Sequence, residues 1–190
     1  YNTKAGVQVL NSDSAAAQGN RISCNSTFAN VGLGIDLNGD GVTANDSGDI
    51  DSGPNQLMNF PVVTDVTDTG SGTVTLRGRL NTINPSAAQI EVYLADLDPS
   101  GFGEGKVCLA QGVTPSPDGT FVVTVSGVSV NEKFTLTATD EAGNTSEFSH
   151  VAPPADNIPP TVQVITPNGG EFVSAGTVLA IAWQSSDNVG

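Results

Sequence analysis

The feature that most constrains this fold is the alternation of apolar and polar residues between residues 60 and 151. A period of two buries one face of a β-strand, whereas an amphipathic helix repeats after about 3.6 residues. Seven short runs carry this period: FPVVTDV, GTVTLRGRL, AQIEVYLAD, GKVCLAQGV, TFVVTVSGV, KFTLTATD and SEFSHV. No stretch of a dozen residues has helical periodicity. We therefore predict an all-β chain with an immunoglobulin-like β-sandwich over residues 60–153.

Residues 1–59 follow a different pattern. GVQVL begins at Gly6 and GLGIDL at Gly32, so similar runs recur after 26 residues, and a third short run, GNRISCN, lies between them. This spacing of short strands predicts the coils of a solenoid, and specifically the end of a parallel β-helix. Its inward-facing side chains would be Val7, Val9, Ile22, Cys24, Leu33 and Ile35. Because about three repeats are needed for stability, we expect earlier coils before Tyr1.

Residues 154–190 form a third segment. The proline-rich linker APPADNIPP leads into it, and two apolar runs follow, with Trp183 as a core candidate. Two strands alone are only marginally stable in water. We interpret this segment as the start of a second immunoglobulin-like module, and the chain as an internal piece of a multidomain protein.

The stretch DLNGDGVTANDSGDIDSGPN concentrates five aspartates and no basic residue. Asp36, Asn38 and Asp40 are followed by Gly41, which is the spacing of oxygen ligands and turn glycine in the first half of a calcium loop. Position 12 of that loop is Ser47 instead of a glutamate, so the loop is not an EF-hand. The missing carboxylates would come from the aspartates further along, Asp46, Asp49 and Asp51. The sequence predicts a calcium site here, with a solvated acidic turn as the alternative.

The charge of the chain limits its partners. It carries 20 acidic residues against six lysines and arginines, a formal net charge of −14. Such a chain cannot neutralise phosphates, so nucleic acid and anionic membrane surfaces are not expected as partners, whereas divalent cations are. No apolar run reaches the roughly 18 residues of a membrane span, so membrane insertion is not expected either.

The two cysteines, Cys24 and Cys108, are 84 positions apart and form no CxxC pair, which gives no support to thiol–zinc or redox chemistry. Each lies in a run of alternating apolar residues. We expect buried free thiols in preference to a disulfide bridge.

Catalytic motifs are missing. His150 is the only histidine, no G-x-S-x-G turn is present, and Arg21 is the only candidate base on the predicted coil face. We predict that the chain is not an enzyme. The loop from Asp98 to Lys106, with Phe102 at its tip, leaves carbohydrate binding open, although a partly buried Phe102 in an ordinary loop is the simpler interpretation.

Two stretches resemble known families. NRISCN with GLGIDLNGDGVTANDSGDIDSGPNQLMNFPVVTDV, within residues 6–66, resembles the C-terminal end of right-handed parallel β-helix modules of large secreted bacterial proteins. TATDEAGNTSEFS resembles the last hairpin of bacterial immunoglobulin-like domains. The resemblance implies an extracellular or cell-surface protein and no particular activity.

In such bacterial arrays an aspartate-containing turn and an aspartate of the next linker often share calcium. The resemblance thus implies a second calcium site between the modules, with ligands Asp140 and Asn144, then Asp156 in the linker and Asp187 beyond it. The alternative is that Asp and Asn stand here only because they favour turns.

Taken together, these patterns predict a calcium-stabilised structural or adhesive segment of a modular surface protein, with polysaccharide or neighbouring surface proteins as further partners. The alternatives are the accessory C-terminal region of a β-helix polysaccharide-degrading enzyme and a carbohydrate-binding module.

Overall fold

The computed structural model describes residues 2–12, 16–129, 131–152, 161–170 and 172–186. The chain divides into two compact units, Tyr1–Ala155 and Asp156–Gly190. The described elements are strands and two short 3-10 helices, which confirms the all-β prediction. The division lies beside the boundary predicted before residue 154, and residues 1–59 share one unit with the sandwich.

The first unit contains eight strands among its described residues. They are β1 (Val7–Val9), β2 (Ile35–Leu37), β3 (Val62–Gly70), β4 (Thr73–Arg79), β5 (Gln89–Asp96), β6 (Glu104–Val113), β7 (Thr120–Ser126) and β8 (Phe134–Thr139). The 3-10 helices are Pro54–Leu57 and Pro85–Ala87. Six of the seven alternating runs predicted as sandwich strands are thus strands in the structure.

Two antiparallel sheets make up the sandwich. The first has the order β3-β4-β7 and the second the order β6-β5-β8. The seventh predicted run is not a regular strand, but it pairs with the edge of β8, where Ser146 N–H donates to the Ala138 carbonyl at 2.8 Å and Ser149 N–H to the Leu136 carbonyl at 2.8 Å. The alternating apolar residues meet between the sheets, and their most buried members are Val74, Leu76, Ile90, Val92, Phe134, Leu136 and Ala138.

The described part of the N-terminal segment, residues 2–12 and 16–59, packs against the outer face of the second sheet. Strands β1 and β2 pair in parallel, with Val7 opposite Ile35. A second apolar cluster forms where Val9, Ile35 and Leu37 pack with Tyr93 and Phe148. Strand β8 is therefore buried along its whole length and β5 over residues 90–93, whereas β6 stays partly exposed.

Because this outer face is covered, the residues of β8 that would face solvent in a two-layer sandwich are buried. These are the alternate residues Thr135, Thr137 and Thr139, and all three are polar. Hydroxyl hydrogen bonds offset part of the cost, as where Thr135 Oγ1 donates to the Ser149 carbonyl at 2.9 Å.

Two predictions for the N-terminal segment are wrong. The run GNRISCN is not a strand, and its Cys24 has a positive φ of 50° and is exposed. Cys24 forms a disulfide with Cys108 of β6, so neither is a free thiol. The reason is that the segment lies along the edge of β6, where Thr27 N–H donates to the Gly105 carbonyl at 2.7 Å.

The parallel β-helix stays a prediction. Among the described residues the only parallel pairing is β1 with β2, and each of these strands has three residues. This pairing has the direction that stacked coils would have, but two short strands do not make a solenoid.

The second unit contains β9 (Thr161–Thr166) and β10 (Ala182–Ser186), which pair antiparallel. The two predicted strands are present. Trp183 is 62% exposed, so within the described residues of this unit it does not lie in a core.

No helix in the described ranges is long and apolar enough to cross a membrane.

We predict that Cys24→Ser or Cys108→Ser lowers the free energy of unfolding by about 2–4 kcal/mol, because the bridge closes an 84-residue separation in the unfolded chain. Urea denaturation without reductant measures the loss, and the reduced wild-type protein should match either variant. Identical midpoints for oxidised wild type and both variants would show that the bridge contributes nothing.

Candidate metal centre

Three aspartates of the acidic stretch converge. One carboxylate oxygen from each of Asp46, Asp49 and Asp51 lies within 4.8 Å of the others, and all three residues are half-buried. Each can supply one ligand atom. This group can hold a metal ion, because oxygen atoms this close to one another fit around a single cation.

Asn59 is the residue that folds the loop into this shape. It is buried, and its Oδ1 accepts the Asp46 N–H at 3.0 Å while its Nδ2 donates to the Asp46 carbonyl at 2.9 Å. The same amide donates to the Asn81 carbonyl at 2.7 Å, and the Asn59 N–H donates to Asp49 Oδ1 at 2.9 Å. Thr82 donates its hydroxyl proton to the other Asp49 oxygen. The loop is thereby fastened to the connection between β4 and β5.

Two oxygens of the cluster have no hydrogen-bond partner. In the described part of the chain, three buried side-chain polar atoms are unpartnered: Asp46 Oδ1, Asp51 Oδ1 and Thr137 Oγ1. Asp46 Oδ2, by contrast, accepts the Ile50 N–H at 3.1 Å. A buried carboxylate oxygen without a partner is costly, and a cation ligated there would remove that cost.

The electrostatics of the cluster favour a positive charge. Burial raises the pKa of Asp49, and the nearby Asp46 and Asp140 raise it further, against hydrogen bonds from Thr82 and Asn59 that lower it. Burial also raises the pKa of Asp51, with Asp46 and Asp49 adding to the effect. Neither pKa is lowered by a lysine or an arginine.

The cluster opens on an acidic pocket of about 540 Å³. Asp49, Asp51, Asp140 and Glu141 line it, and its described lining contains no basic residue. Asp140 is held in place by Asn144, whose N–H donates to Asp140 Oδ1 at 2.8 Å and whose Nδ2 donates to Oδ2 at 2.7 Å.

The predicted ligands that lie together in the structure are not those that the sequence analysis placed together. Asp140 and Asn144, assigned to a site between the modules, line the same pocket as Asp49 and Asp51. Asp156 and Asp187, the other predicted members of that site, lie outside the described residues.

Asp36, Asn38 and Asp40 do not join the cluster of three aspartates. Their turn closes on itself, since Asn38 Nδ2 donates to Asp40 Oδ2 at 2.9 Å and Gly41 N–H donates to Asp36 Oδ1 at 3.3 Å. Gln8 Nε2 donates to the second Asp36 oxygen at 3.2 Å. The six predicted ligands of one loop therefore fall into two groups.

Sequence reasoning missed three buried glutamates that hold the N-terminal segment. Glu91 accepts the Cys24 N–H at 2.8 Å, Glu104 accepts the Asn30 N–H at 3.0 Å, and Glu147 accepts the Leu37 and Thr43 N–H groups at 2.8 Å each. All three residues are no more than 3% exposed. In the sequence, Glu91 stands at a position of β5 that alternates with apolar residues, which is also the pattern of a solvent-facing residue.

The candidate catalytic residues are not assembled into a site. His150 is exposed, and its ring lies edge-on to Phe102 with the centroids 5.4 Å apart. Phe102 in turn packs edge-on against Phe60 at 5.4 Å and is half-buried, as the simpler interpretation of its loop expected. Arg21 donates to Gln89 Oε1 at 2.7 Å on the surface.

Comparison of the chain with models of known protein families found no match, and neither did comparison with curated proteins.

We predict that the free energy of unfolding in chelator falls as the pH rises from about 4.5 to 7. Burial and the nearby Asp36 raise the pKa of Glu147 from 4.5 to about 7 against the hydrogen bonds from Thr43 and Leu37. The native state therefore binds more protons than the unfolded state in this window. The stabilisation is complete below the unfolded pKa and is lost above the folded one, at a cost of about 3 kcal/mol. The raised pKa values of Asp49 and Asp51 act in the same direction.

Urea unfolding at a series of pH values measures this slope, and Glu147→Gln should flatten it. A stability that rises with pH over the same window, or a slope unchanged by the substitution, would contradict the assignment.

Proposed function

We propose that this chain is a non-catalytic structural or adhesive segment of a modular extracellular or cell-surface protein, and that calcium bound by Asp46, Asp49 and Asp51 stabilises its first unit. The observation that carries the proposal is the pair of buried, unpartnered oxygens, Asp46 Oδ1 and Asp51 Oδ1, within one group of carboxylates. The single disulfide agrees with an oxidising compartment outside the cell.

The donor set favours calcium over other metals. The cluster offers carboxylate oxygens and no histidine or cysteine, which suits hard cations and not zinc or copper. Calcium accepts six to eight oxygen ligands in flexible arrangements, whereas magnesium requires a nearly ideal octahedron. An irregular loop that supplies three carboxylates beside a wide pocket fits the less demanding ion.

The bound ion would stabilise the folded conformation of the loop. The oxygens lie no more than 4.8 Å apart, and at that separation and an effective dielectric of about 20 two carboxylate charges repel by about 3.5 kcal/mol, which destabilises the loop without a cation. The attraction of each carboxylate to a bound cation would offset this repulsion, and the loop is bonded through Asn59 and Thr82 to the connection between β4 and β5. A segment held in this way suits a protein that must keep its shape outside the cell.

We predict that calcium raises the thermal midpoint of the protein relative to chelator, because a ligand that binds only the native state adds to its stability. Asp46→Asn and Asp51→Asn should each weaken calcium binding at least tenfold, which corresponds to about 1.4 kcal/mol. Isothermal titration and differential scanning fluorimetry measure the two effects.

Two control variants make this test specific. Asp65→Asn changes an exposed aspartate of β3 that is not a member of the cluster and should leave the calcium response intact. Asp40→Asn reports on the other group of predicted ligands: if it abolishes binding while Asp46→Asn does not, the ion lies in the Asp36 turn. A midpoint that is the same in calcium and chelator would refute the proposal.

We predict that the chain releases no reducing or unsaturated sugars from pectin, alginate or glucan, because neither His150 nor Arg21 lies beside the acidic pocket lining. A reducing-end assay over a full day at several pH values tests this. Sugar release that Asp49→Asn or Asp140→Asn abolishes would instead identify the acidic pocket as a catalytic site.

A further inference from the structure

The segment of residues 25–30, which we call the arch, lies along the edge of β6. Thr27 N–H donates to the Gly105 carbonyl at 2.7 Å, and Ser26 Oγ donates to the Lys106 carbonyl at 2.7 Å. A second pocket, the arch pocket, lies between this segment and Asn2, Gly6 and Val7. It has a volume of about 520 Å³, which is within the usual range for small-molecule sites, and it is open to solvent.

The walls of this arch pocket are held rigidly. The buried carboxylate of Glu104 accepts hydrogen bonds from the backbone and side-chain N–H groups of Asn30. Asn2 Nδ2 donates to Asn30 Oδ1 at 2.9 Å, which joins the two sides of the pocket. The disulfide at Cys24 fixes the chain just before the arch. A site of this kind loses little conformational entropy when a ligand binds.

The lining of the arch pocket is uncharged. Its described residues comprise three asparagines, a serine, a threonine, a phenylalanine and small or apolar residues, in a chain with 20 acidic side chains. The carboxylates nearest the arch, Asp96 and Glu104, accept hydrogen bonds from its backbone N–H groups and do not line the pocket. The lining contributes no charged side chain, and Lys106, which lies against Phe28, is one cation in a chain of net charge −14, so the pocket favours a neutral ligand over an anionic one.

Two groups in the pocket are available to a ligand. Phe28 is 45% exposed, and because Lys106 Nζ lies over its ring, 5.7 Å from the centroid, a ligand would pack on the part of the ring that Lys106 leaves exposed. Asn25 is exposed, and its side chain makes no hydrogen bond within the described part of the chain, so its two donors and its acceptor are free. An aromatic face beside free amide groups complements a sugar, whose C–H face packs on the negative face of the ring while its hydroxyls donate to and accept from the amide.

We propose that the arch pocket binds a neutral saccharide unit, with Phe28 packing against the sugar ring and Asn25 hydrogen-bonding its hydroxyls. The pocket shares no lining residue with the acidic cluster, so the inference goes beyond the proposed calcium site and does not depend on it. It gives the segment a binding partner, an uncharged polysaccharide, and locates that partner beside residues 25–30.

Affinity electrophoresis in native gels tests this proposal with the full chain. The neutral probes are galactomannan, mixed-linkage β-glucan and dextran, and alginate is the anionic comparison. We expect at least one neutral polysaccharide to retard the protein. Phe28→Ala should weaken that binding at least tenfold, Asn25→Ala should weaken it less, and Phe28→Trp should retain it.

Phe172→Ala is the matched control, since Phe172 is a fully exposed phenylalanine of the second unit and its loss should change nothing. Thermal midpoints establish that the variants fold, and Asn25→Ala and Phe28→Trp decide the outcome if Phe28→Ala is unstable. The proposal fails if no neutral gel retards the protein, if the alanine variants migrate like the wild type, or if alginate retards the protein as strongly. The calcium experiments measure heats of calcium binding and thermal midpoints, whereas electrophoresis measures polysaccharide binding. The two proposals can therefore fail independently of each other.

Discussion

The first unit depends on hydrogen bonds between buried glutamates and the backbone of the N-terminal segment. This segment has almost no regular structure of its own, with only two three-residue strands in its described part, so most of its N–H groups need partners from elsewhere. Glu91, Glu104 and Glu147 provide them from the second sheet and the chain that follows it. Charged acceptors form stronger hydrogen bonds than neutral ones, and each bond also satisfies a carboxylate that burial would otherwise destabilise.

The acidic loop brings three carboxylates together without a compensating lysine or arginine in the cluster. Negative charge therefore accumulates around one pocket, which Asp49 and Asp140 both line. A divalent cation is the simplest way to balance it, which is why the metal proposal and the fold are connected. The lining of the arch pocket, by contrast, contains no ionisable side chain among its described residues.

Asp49, Asp51 and Asp140 line one pocket, although the sequence analysis places them in two separate sites. Ligand spacing along the chain placed Asp36, Asn38 and Asp40 together, and they do form one turn. Spacing along the chain could not show that Asn59 forms hydrogen bonds with Asp46 and Asp49. Asn59 lies 13 positions after Asp46, and the chain between them is largely irregular. Nor could spacing bring Asp140 to the same pocket, because that contact depends on the packing of the N-terminal segment against the turn after β8.

The strands of the sandwich could be predicted from the sequence, because alternation with a period of two is a local property that each run displays alone. The acidic character and the all-β composition of the described residues could be predicted in the same way. Which polar residues are buried depends on packing between distant segments: Thr137 and Glu91 have the pattern of surface residues until a second layer covers their sheet. The disulfide was decided in the same way, since Cys24 and Cys108 meet only because the N-terminal segment lies along the edge of β6. Contacts between distant segments depend on which faces pack together. A sheet face becomes part of a core only when another layer of the chain covers it, and otherwise it stays at the surface.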